Sequence, residues 1–316
     1  MQTSNFHIRI NCPVCGEAKN LQTLYSTSYQ NETIKKHIVG FYSNQGGQID
    51  YSVLEKENYS LIFCPSCRLV YQKSIPNSDL MFELYEKYIN PEIKQNELSD
   101  NNKYSEEYFS LLRNEIKFLK SHCFQKSEKI KFLDYGMGCG LLCNEAQRQG
   151  MLSYGTELSP TRIKYAEEMG ITVIDIDSIP DRFFDIINLS DVLEHVADPM
   201  DTAEILVKKL KPQGLLRISV PGDPNILSNI KKFKGVVFND WRFNCVAPLE
   251  HINCFHYETL QYISKKTGLS LIGSLDFINP AASIKNPISR FKYIIKKHVL
   301  KNKYLKKSTN LVFRYL

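Results

Sequence analysis

The sequence predicts an α/β fold: a doubly wound, mainly parallel sheet behind a small N-terminal module with paired cysteines. Three observations lead there. Between residues 126 and 284, short apolar runs alternate with helical segments, the pattern of a parallel sheet covered on both faces. A glycine-rich turn, "FLDYGMGCG" (132–140), closes the first of those runs. Two Cys-Pro-x-Cys pieces, Cys12 to Cys15 and Cys64 to Cys67, come before it.

Taken in order, residues 1–75 hold both cysteine pairs around a polar stretch with strand-like pieces, "HIVGFYS" (37–43) and "YSLIF" (59–63). Residues 76–125 read as a helical linker or lid. There "NSDLMFELYEKYI" (77–89) and "SEEYFSLLRNEIKFLKSH" (105–122) repeat apolar residues at three- and four-residue intervals. Ser105 ahead of Glu106 and Glu107 is a helix start. In 126–284 the strands are "KIKFLDYG", "LSYGTEL", "ITVID", "FFDIINLS", "GLLRISVP" and "LSLIGSLDF". The helices between them are "GLLCNEAQRQG", "SPTRIKYAEEMG", "DPMDTAEILVKKLK" and "HYETLQYISKKTG". Residues 285–316 read as a basic amphipathic tail, with Phe291, Ile294, Ile295, His298, Val299 and Leu305 at helical spacing.

The composition is that of a soluble globular chain: 316 residues, 43% hydrophobic and 23% charged. No apolar run approaches the ~20 residues that span a bilayer, and the start lacks the basic and apolar regions of a secretory signal. A cytoplasmic protein is expected. The net charge of +6 hides an asymmetry, because 285–316 holds ten Lys/Arg and no Asp or Glu. Such a tail is a solvated helix face, or it attracts an anionic acceptor or the inner face of an anionic membrane. The acidic body argues against nucleic acid as partner.

Nine cysteines, an odd number without an export signal, point to reduced thiols. Two CxxC turns, at Cys12/Cys15 and Cys64/Cys67, would present four thiolates to one zinc ion. Four thiolates leave no open coordination position, so the zinc would be structural. A redox CxxC is the rival reading.

The glycine turn spaces Gly136, Gly138 and Gly140 as G-x-G-x-G, neither the G-x-G-x-x-G of a pyrophosphate turn nor a phosphate loop. The spacing suits a ligand lying against the backbone, with Asp134 at the strand end to hold a cation or a hydroxyl. "LDYGMGCG" resembles the first motif of class I S-adenosyl-L-methionine (SAM)-dependent methyltransferases, and the remaining motifs of that family appear in order. The resemblance implies a Rossmann-like methyltransferase fold with a seven-stranded sheet. It also implies that the glycines seat the methionine portion of SAM. Met137 and Cys139 between them would point away or along the loop. Glu157 in "YGTELSP", with Leu158 beside it, would hold the ribose hydroxyls. Asp175 and Ile176 would meet the adenine, and Ser190, within the fourth motif "FFDIINLSDVLEHVADP", would also bind the cofactor.

The plan of four cysteines before such a core is similar to a bacterial family with an N-terminal zinc module. Members of that family include methyltransferases of nucleotide-linked sugars. Methyl transfer to a hydroxyl needs a base to remove its proton. Glu250-His251 in "PLEHINCFHYETL" matches the acid–base piece of the sugar enzymes, although the Tyr and His that precede it there are absent here. "DVLEHV" offers Asp191, Glu194 and His195, with His195 either a base or an orienting group. His256 reads as a helix-start residue, and Trp241 as lining either an acceptor pocket or the core. The expected protein methylates an oxygen of a small-molecule acceptor: a sugar, whether nucleotide-linked, lipid-linked or in a glycan, or a related metabolite. An RNA methyltransferase and a non-catalytic SAM-binding partner protein are the alternatives.

Overall fold

Local capping settles where several helices begin. Asn31 accepts a hydrogen bond from the Thr33 amide (3.0 Å) and Asn77 from the Leu80 amide (2.9 Å), each satisfying an otherwise unpaired first-turn N–H. The computed structural model describes residues 5–89, 106–124, 129–277 and 308–316. The expected tail helix around Phe291 to Leu305 lies outside them.

The elements run β1 (Phe6–Ile8), β2 (Gln22–Ser28), α1 (Glu32–Asn44), β3 (Asn58–Phe63), β4 (Val70–Gln72), β5 (Ser74–Pro76), α2 (Ser78–Glu86) and α3 (Glu106–His122). There follow β6 (Lys131–Tyr135), α4 (Leu141–Arg148), β7 (Leu152–Thr156), α5 (Pro160–Glu168), β8 (Thr172–Val173), β9 (Phe184–Ser190) and α6 (Pro199–Lys209). The remainder is β10 (Leu210–Ser219), α7 (Ile226–Phe233), β11 (Asn253–Cys254), α8 (Tyr257–Lys266), β12 (Leu269–Ser274) and β13 (Asn310–Tyr315).

Where the sequence suggests segments 1–75, 76–125, 126–284 and 285–316, the chain condenses into two units with other bounds. The first takes residues 1–96, 193–202 and 220–259; the second takes 97–192, 203–219 and 260–316. The reason is a shared interior. The cysteine-bearing segment and the later segments bury one common apolar core. Ile226, Ile230, Phe238, Phe243 and Leu249 from the later segments therefore pack with Tyr29, Ile34, Tyr42 and Tyr59.

In the first unit, β11, β4, β3 and β2 form a four-stranded antiparallel sheet, and β1 pairs antiparallel with β5. "HIVGFYS", which reads as a strand, lies inside α1. Its β-branched and aromatic content suggests extension, but Ile34, Ile38 and Tyr42 recur every four residues and form one buried face. Burying each contributes about 1.5–3 kcal/mol, which outweighs β-propensity.

The second unit is the seven-stranded sheet, in the order β12-β13-β10-β9-β6-β7-β8. It is mainly parallel: β6 pairs in parallel with both β7 and β9, β9 with β10, and β7 with β8. Strand order reverses at β6 and β9, so the carboxyl end of β6 is where such a sheet opens its crevice. β13 corrects the tail reading, because its residues insert antiparallel between β10 and β12, and Leu311, Val312 and Phe313 are fully buried.

A line of polar side chains crosses this sheet. Arg217 of β10, 5% exposed, donates to Asn188 Oδ1 of β9 (2.9 Å), to Glu115 of α3 (3.2 Å) and to Asn310 of β13 (3.2 Å). Asn188 donates in turn to Asp134 Oδ1 at the end of β6 (2.6 Å).

Truncating one member of the buried β13 row tests this packing. Phe313→Ala is expected to destabilise the protein by about 3–5 kcal/mol, read as a lower urea midpoint. An unchanged midpoint would contradict a packed β13.

Candidate active site and metal centre

In the second unit the site begins at the turn after β6. Gly136, Gly138 and Gly140 all have positive φ (74°, 56° and 75°). At two of them a side chain already fills the Cβ direction: a Cβ would stand 2.6 Å from Val192 Cγ2 at Gly136 and 2.3 Å from Ile171 Cδ1 at Gly140. At Gly138 a Cβ would meet nothing within 4 Å. Only the middle glycine therefore presents an open face on which a ligand could lie. Met137 does not lie along the loop; it is buried, with Sδ so close over Gly155 that a Cβ there would fall 1.9 Å away. Cys139 is partly buried.

Below the turn Asp134 is buried, and burial raises its carboxyl to about 6 even though the hydrogen bond from Asn188 and the charge of Arg217 act against the rise. Glu157, just past β7, has its carboxylate oriented by its own chain. Its Oε1 accepts from the amides of Leu158 (2.8 Å) and Ser159 (3.0 Å), and its Oε2 lies 3.9 Å from Arg162. Leu158 is 86% exposed. Asp175 caps the short 3₁₀ turn Ile176–Ser178 by accepting from the Asp177 amide. Ser190 donates to Asn188 Oδ1 (3.3 Å).

In the first unit the expected catalytic residues come together. The imidazoles of His195 and His251 are 5.0 Å apart. His195 Nδ1 is 2.7 Å from the Glu250 carbonyl, and His251 Nδ1 is 2.5 Å from the Asn244 carbonyl. A carbonyl only accepts, so each of these two contacts requires a proton on Nδ1. Glu194 is buried, with Oε1 3.7 Å from His195 Nε2. Glu250 is also buried and accepts the Tyr42 hydroxyl (2.8 Å). Tyr85 Oη stands 2.7 Å from His195 Nδ1. One ligand atom each from Glu194, His195 and His251 lies within 4.8 Å of the others, so the group could also hold a divalent cation.

Tyr42 and Tyr85 are not singled out by the sequence, because each stands in an ordinary amphipathic helix. His256 precedes α8 as expected but is buried, with burial lowering its pKa and neither ring nitrogen hydrogen-bonded. Trp241 is 83% exposed, which corrects the core reading.

The four cysteines also converge in the first unit. Cys12 Sγ is 3.5 Å from Cys67 Sγ, Cys15 Sγ is 3.4 Å from Cys64 Sγ, and all four lie within 4.8 Å. A tetrahedral zinc with Zn–S bonds of about 2.3 Å spaces its sulfurs by roughly 3.8 Å, so the set fits with a small outward adjustment. The hydrogen bond from Cys67 draws the Cys12 thiol down to about 5.

A family model described as "Methyltransferase domain" matches residues 104–273. The chain belongs to the methyltransferase-domain family. Its fold is the Rossmann-like one of SAM-dependent methyltransferases. Curated relatives of this methyltransferase domain include the ubiquinone biosynthesis O-methyltransferases of Parvibaculum lavamentivorans and Bartonella quintana. The first is 32% identical over 111 residues (32% of this chain, 44% of the relative). The second is 32% identical over 102 residues (29% and 41%). The chain spans less than half the length of these relatives. Among solved structures, a SAM-dependent methyltransferase from Archaeoglobus fulgidus superposes with TM-score 0.41 at 16% identity, covering 65% of this chain and 94% of its own. The plantazolicin methyltransferase BpumL in complex with SAH gives TM-score 0.45 at 15% identity, covering 74% and 92%.

The residues present fit SAM: an open face at Gly138, a preoriented Glu157 and a buried Asp134 near a turn without phosphate-binding spacing. Among the described residues no helix is long and apolar enough to cross a membrane.

Two outcomes test these assignments. The folded-state pKa of Asp134, about 6, exceeds its unfolded value near 3.8, so the folded state binds the proton more tightly between them. Stability of the ligand-free protein therefore gains from this group at low pH and loses that gain as pH rises from about 4 to about 6. Asp134→Asn is expected to flatten that part of the pH–stability curve, measured by urea titration. For the metal, elemental analysis is expected to find one zinc per chain, and Cys64→Ser to lose it together with the far-ultraviolet signal of the first unit.

Proposed function

We propose that the protein is a SAM-dependent methyltransferase that methylates a hydroxyl oxygen of a small molecule, with a nucleotide-linked, lipid-linked or glycan sugar as the acceptor class. The observation that carries the reading is Glu157, its carboxylate locked by the Leu158 and Ser159 amides on the strand next to the glycine turn. When bound, SAM supplies an electrophilic methyl group whose leaving sulfur needs no acid. What remains is to orient the acceptor and take its proton. His251 Nε2 serves as the base, its ring fixed by the Asn244 carbonyl. Glu250 and Tyr42 brace the loop through their hydrogen bond, and Tyr85 meets His195 through its hydroxyl. The four-thiolate zinc is structural. The O-methyltransferase names of the curated relatives agree with oxygen as the methylated atom, and the Glu250-His251 pair favours a sugar. The basic residues between 285 and 307 would draw in an anionic acceptor or an anionic membrane surface.

Calorimetry with SAM and S-adenosylhomocysteine is the direct test. Micromolar binding is expected, weakened roughly tenfold to hundredfold in Glu157→Ala by loss of charge-assisted hydrogen bonds. No binding by the folded, zinc-loaded protein would overturn the reading. Incubation with nucleotide-linked sugars, and separately with catechols, then locates the acceptor by mass spectrometry. His251→Asn is expected to slow that transfer by about 10²–10⁴ with cofactor affinity retained. Methylation of catechols alone would replace the sugar assignment.

A further inference from the structure

Arg9 is a buried cation whose cost the reaction described above does not explain. It is 6% exposed, and among the described residues no carboxylate reaches it within ion-pair distance. Burial lowers its pKa to about 10, so it stays charged at neutral pH. A buried unpaired charge costs several kcal/mol unless its donors are fully used. Here the guanidinium's hydrogen bonds go to neutral oxygens. Nε and Nη2 donate to the Gln72 carbonyl (3.0 and 2.7 Å), and Nη2 also donates to the Ile252 carbonyl (2.7 Å). Nη1 donates to Asn253 Oδ1 (2.7 Å) and to the Ala197 carbonyl (3.3 Å). The guanidinium also lies over the Tyr71 ring, 4.9 Å from its centroid.

Two of the three segments so joined carry the paired histidines. Ala197 is two residues after His195, Ile252 and Asn253 directly follow His251, and Gln72 lies on β4, just past the second cysteine turn. Asn253, fully buried, repeats the pattern. Its amide side chain donates to the carbonyls of Leu193 (2.9 Å) and Val196 (2.8 Å), and its backbone N–H donates to the Glu194 carbonyl (3.1 Å). The Gln72 amide donates back to the Ile252 carbonyl (2.9 Å). Both histidine-bearing loops thus hang by their carbonyls from one guanidinium and one carboxamide. A planar five-donor fork can span such separated acceptors; an ammonium cannot.

We propose that Arg9 is a positioning residue which, with Asn253, sets the imidazoles of His195 and His251 by holding the carbonyls of the two loops that bear them. The assignment rests on the reading of those histidines as acceptor-site groups, but its test does not use methyl transfer. The full-length, zinc-loaded protein with ¹⁵N-labelled histidine is compared with Arg9→Met, Arg9→Lys and Asn253→Ala. Ring nitrogen spectra report the histidine tautomers, and hydrogen exchange reports the Gln72 and Asn253 amides.

In the unaltered protein both rings are expected in the Nδ1–H form. In Arg9→Met, zinc content is expected to persist and S-adenosylhomocysteine affinity to change by no more than about twofold, as for a site without shared partners. Exchange at Gln72 and Asn253 rises about tenfold through local opening, and His195 becomes a mixture of tautomers. Arg9→Lys keeps the charge and is expected not to restore the single tautomer. Unchanged ring signals in Arg9→Met, or full restoration by Lys, would overturn the proposal in favour of packing or charge alone. If Arg9→Met fails to fold, Asn253→Ala decides, since it leaves the Arg9 bonds to Gln72 and Ile252 in place. Mixed tautomers there support the proposal, and an unchanged spectrum overturns it. Failure to find any methyl acceptor would instead strike the proposed function and leave these signals as they are.

Discussion

A guanidinium placed in the middle of an apolar sheet has to be met by acceptors on every side, and much of the second unit follows from that requirement at Arg217. Its partners come from α3, β9 and β13, elements far apart in sequence, so satisfying one side chain fixes their mutual register. Asn188 can answer Arg217 with its oxygen and Asp134 with its nitrogen only in one orientation. The amide therefore carries the polar line to the strand end beneath the glycine turn. Burial also raises the Glu115 carboxyl, against the charge of Arg217. Two acids that burial pushes toward the neutral form, Asp134 in the sheet and Glu115 on α3, are thus joined through Arg217 and Asn188 in one chain of fixed hydrogen bonds.

The first unit solves a similar problem by a different route. Its core is assembled from two separated stretches of chain, residues 6–89 and 226–254, which apolar packing holds without specifying the direction of each loop. Direction comes from buried polar groups: Tyr59 donates to the Val246 carbonyl (2.5 Å), Gln72 to the carbonyls of Ala247 (2.9 Å) and His251 (3.1 Å), and Tyr42 to Glu250. Non-directional burial supplies the stability, and short directional bonds supply the geometry that a pair of imidazoles needs.

The periodic parts of this architecture are legible in the sequence, because their signals are local. The strands from "KIKFLDYG" to "GLLRISVP" and the helices between them stand where apolar spacing puts them, and the glycine turn sits at the carboxyl end of β6. The cysteine pairs are legible because a thiolate site needs both turns. Less legible is whatever depends on distant partners. "HIVGFYS" has strand composition, and only the core around Ile38 and Tyr42 makes it helical. "NLVFRY" stands after a basic stretch and is a strand because two other strands leave a gap for it. Arg9, Asn253, Tyr42 and Tyr85 carry no motif, since their roles lie in the carbonyls and side chains they reach. The glycines show a finer limit. Their spacing suggests a ligand against all three, whereas Val192 and Ile171 already fill the Cβ direction at two of them.

The antiparallel insertion of β13 also has a kinetic side. Leu215 of β10 faces Arg314, and Leu271 of β12 faces Phe313, so two strands wait for a third that is remote from β10 in sequence. Until it docks, β10 and β12 each offer a row of unpaired amides and carbonyls beside apolar side chains, the template on which another chain can add. Closing so long a loop is slow relative to local helix formation, so the partly folded sheet is open to capture by its own kind. Refolding yield is then a race between an intramolecular event of fixed rate and an intermolecular one that grows with concentration; dilution favours the native sheet.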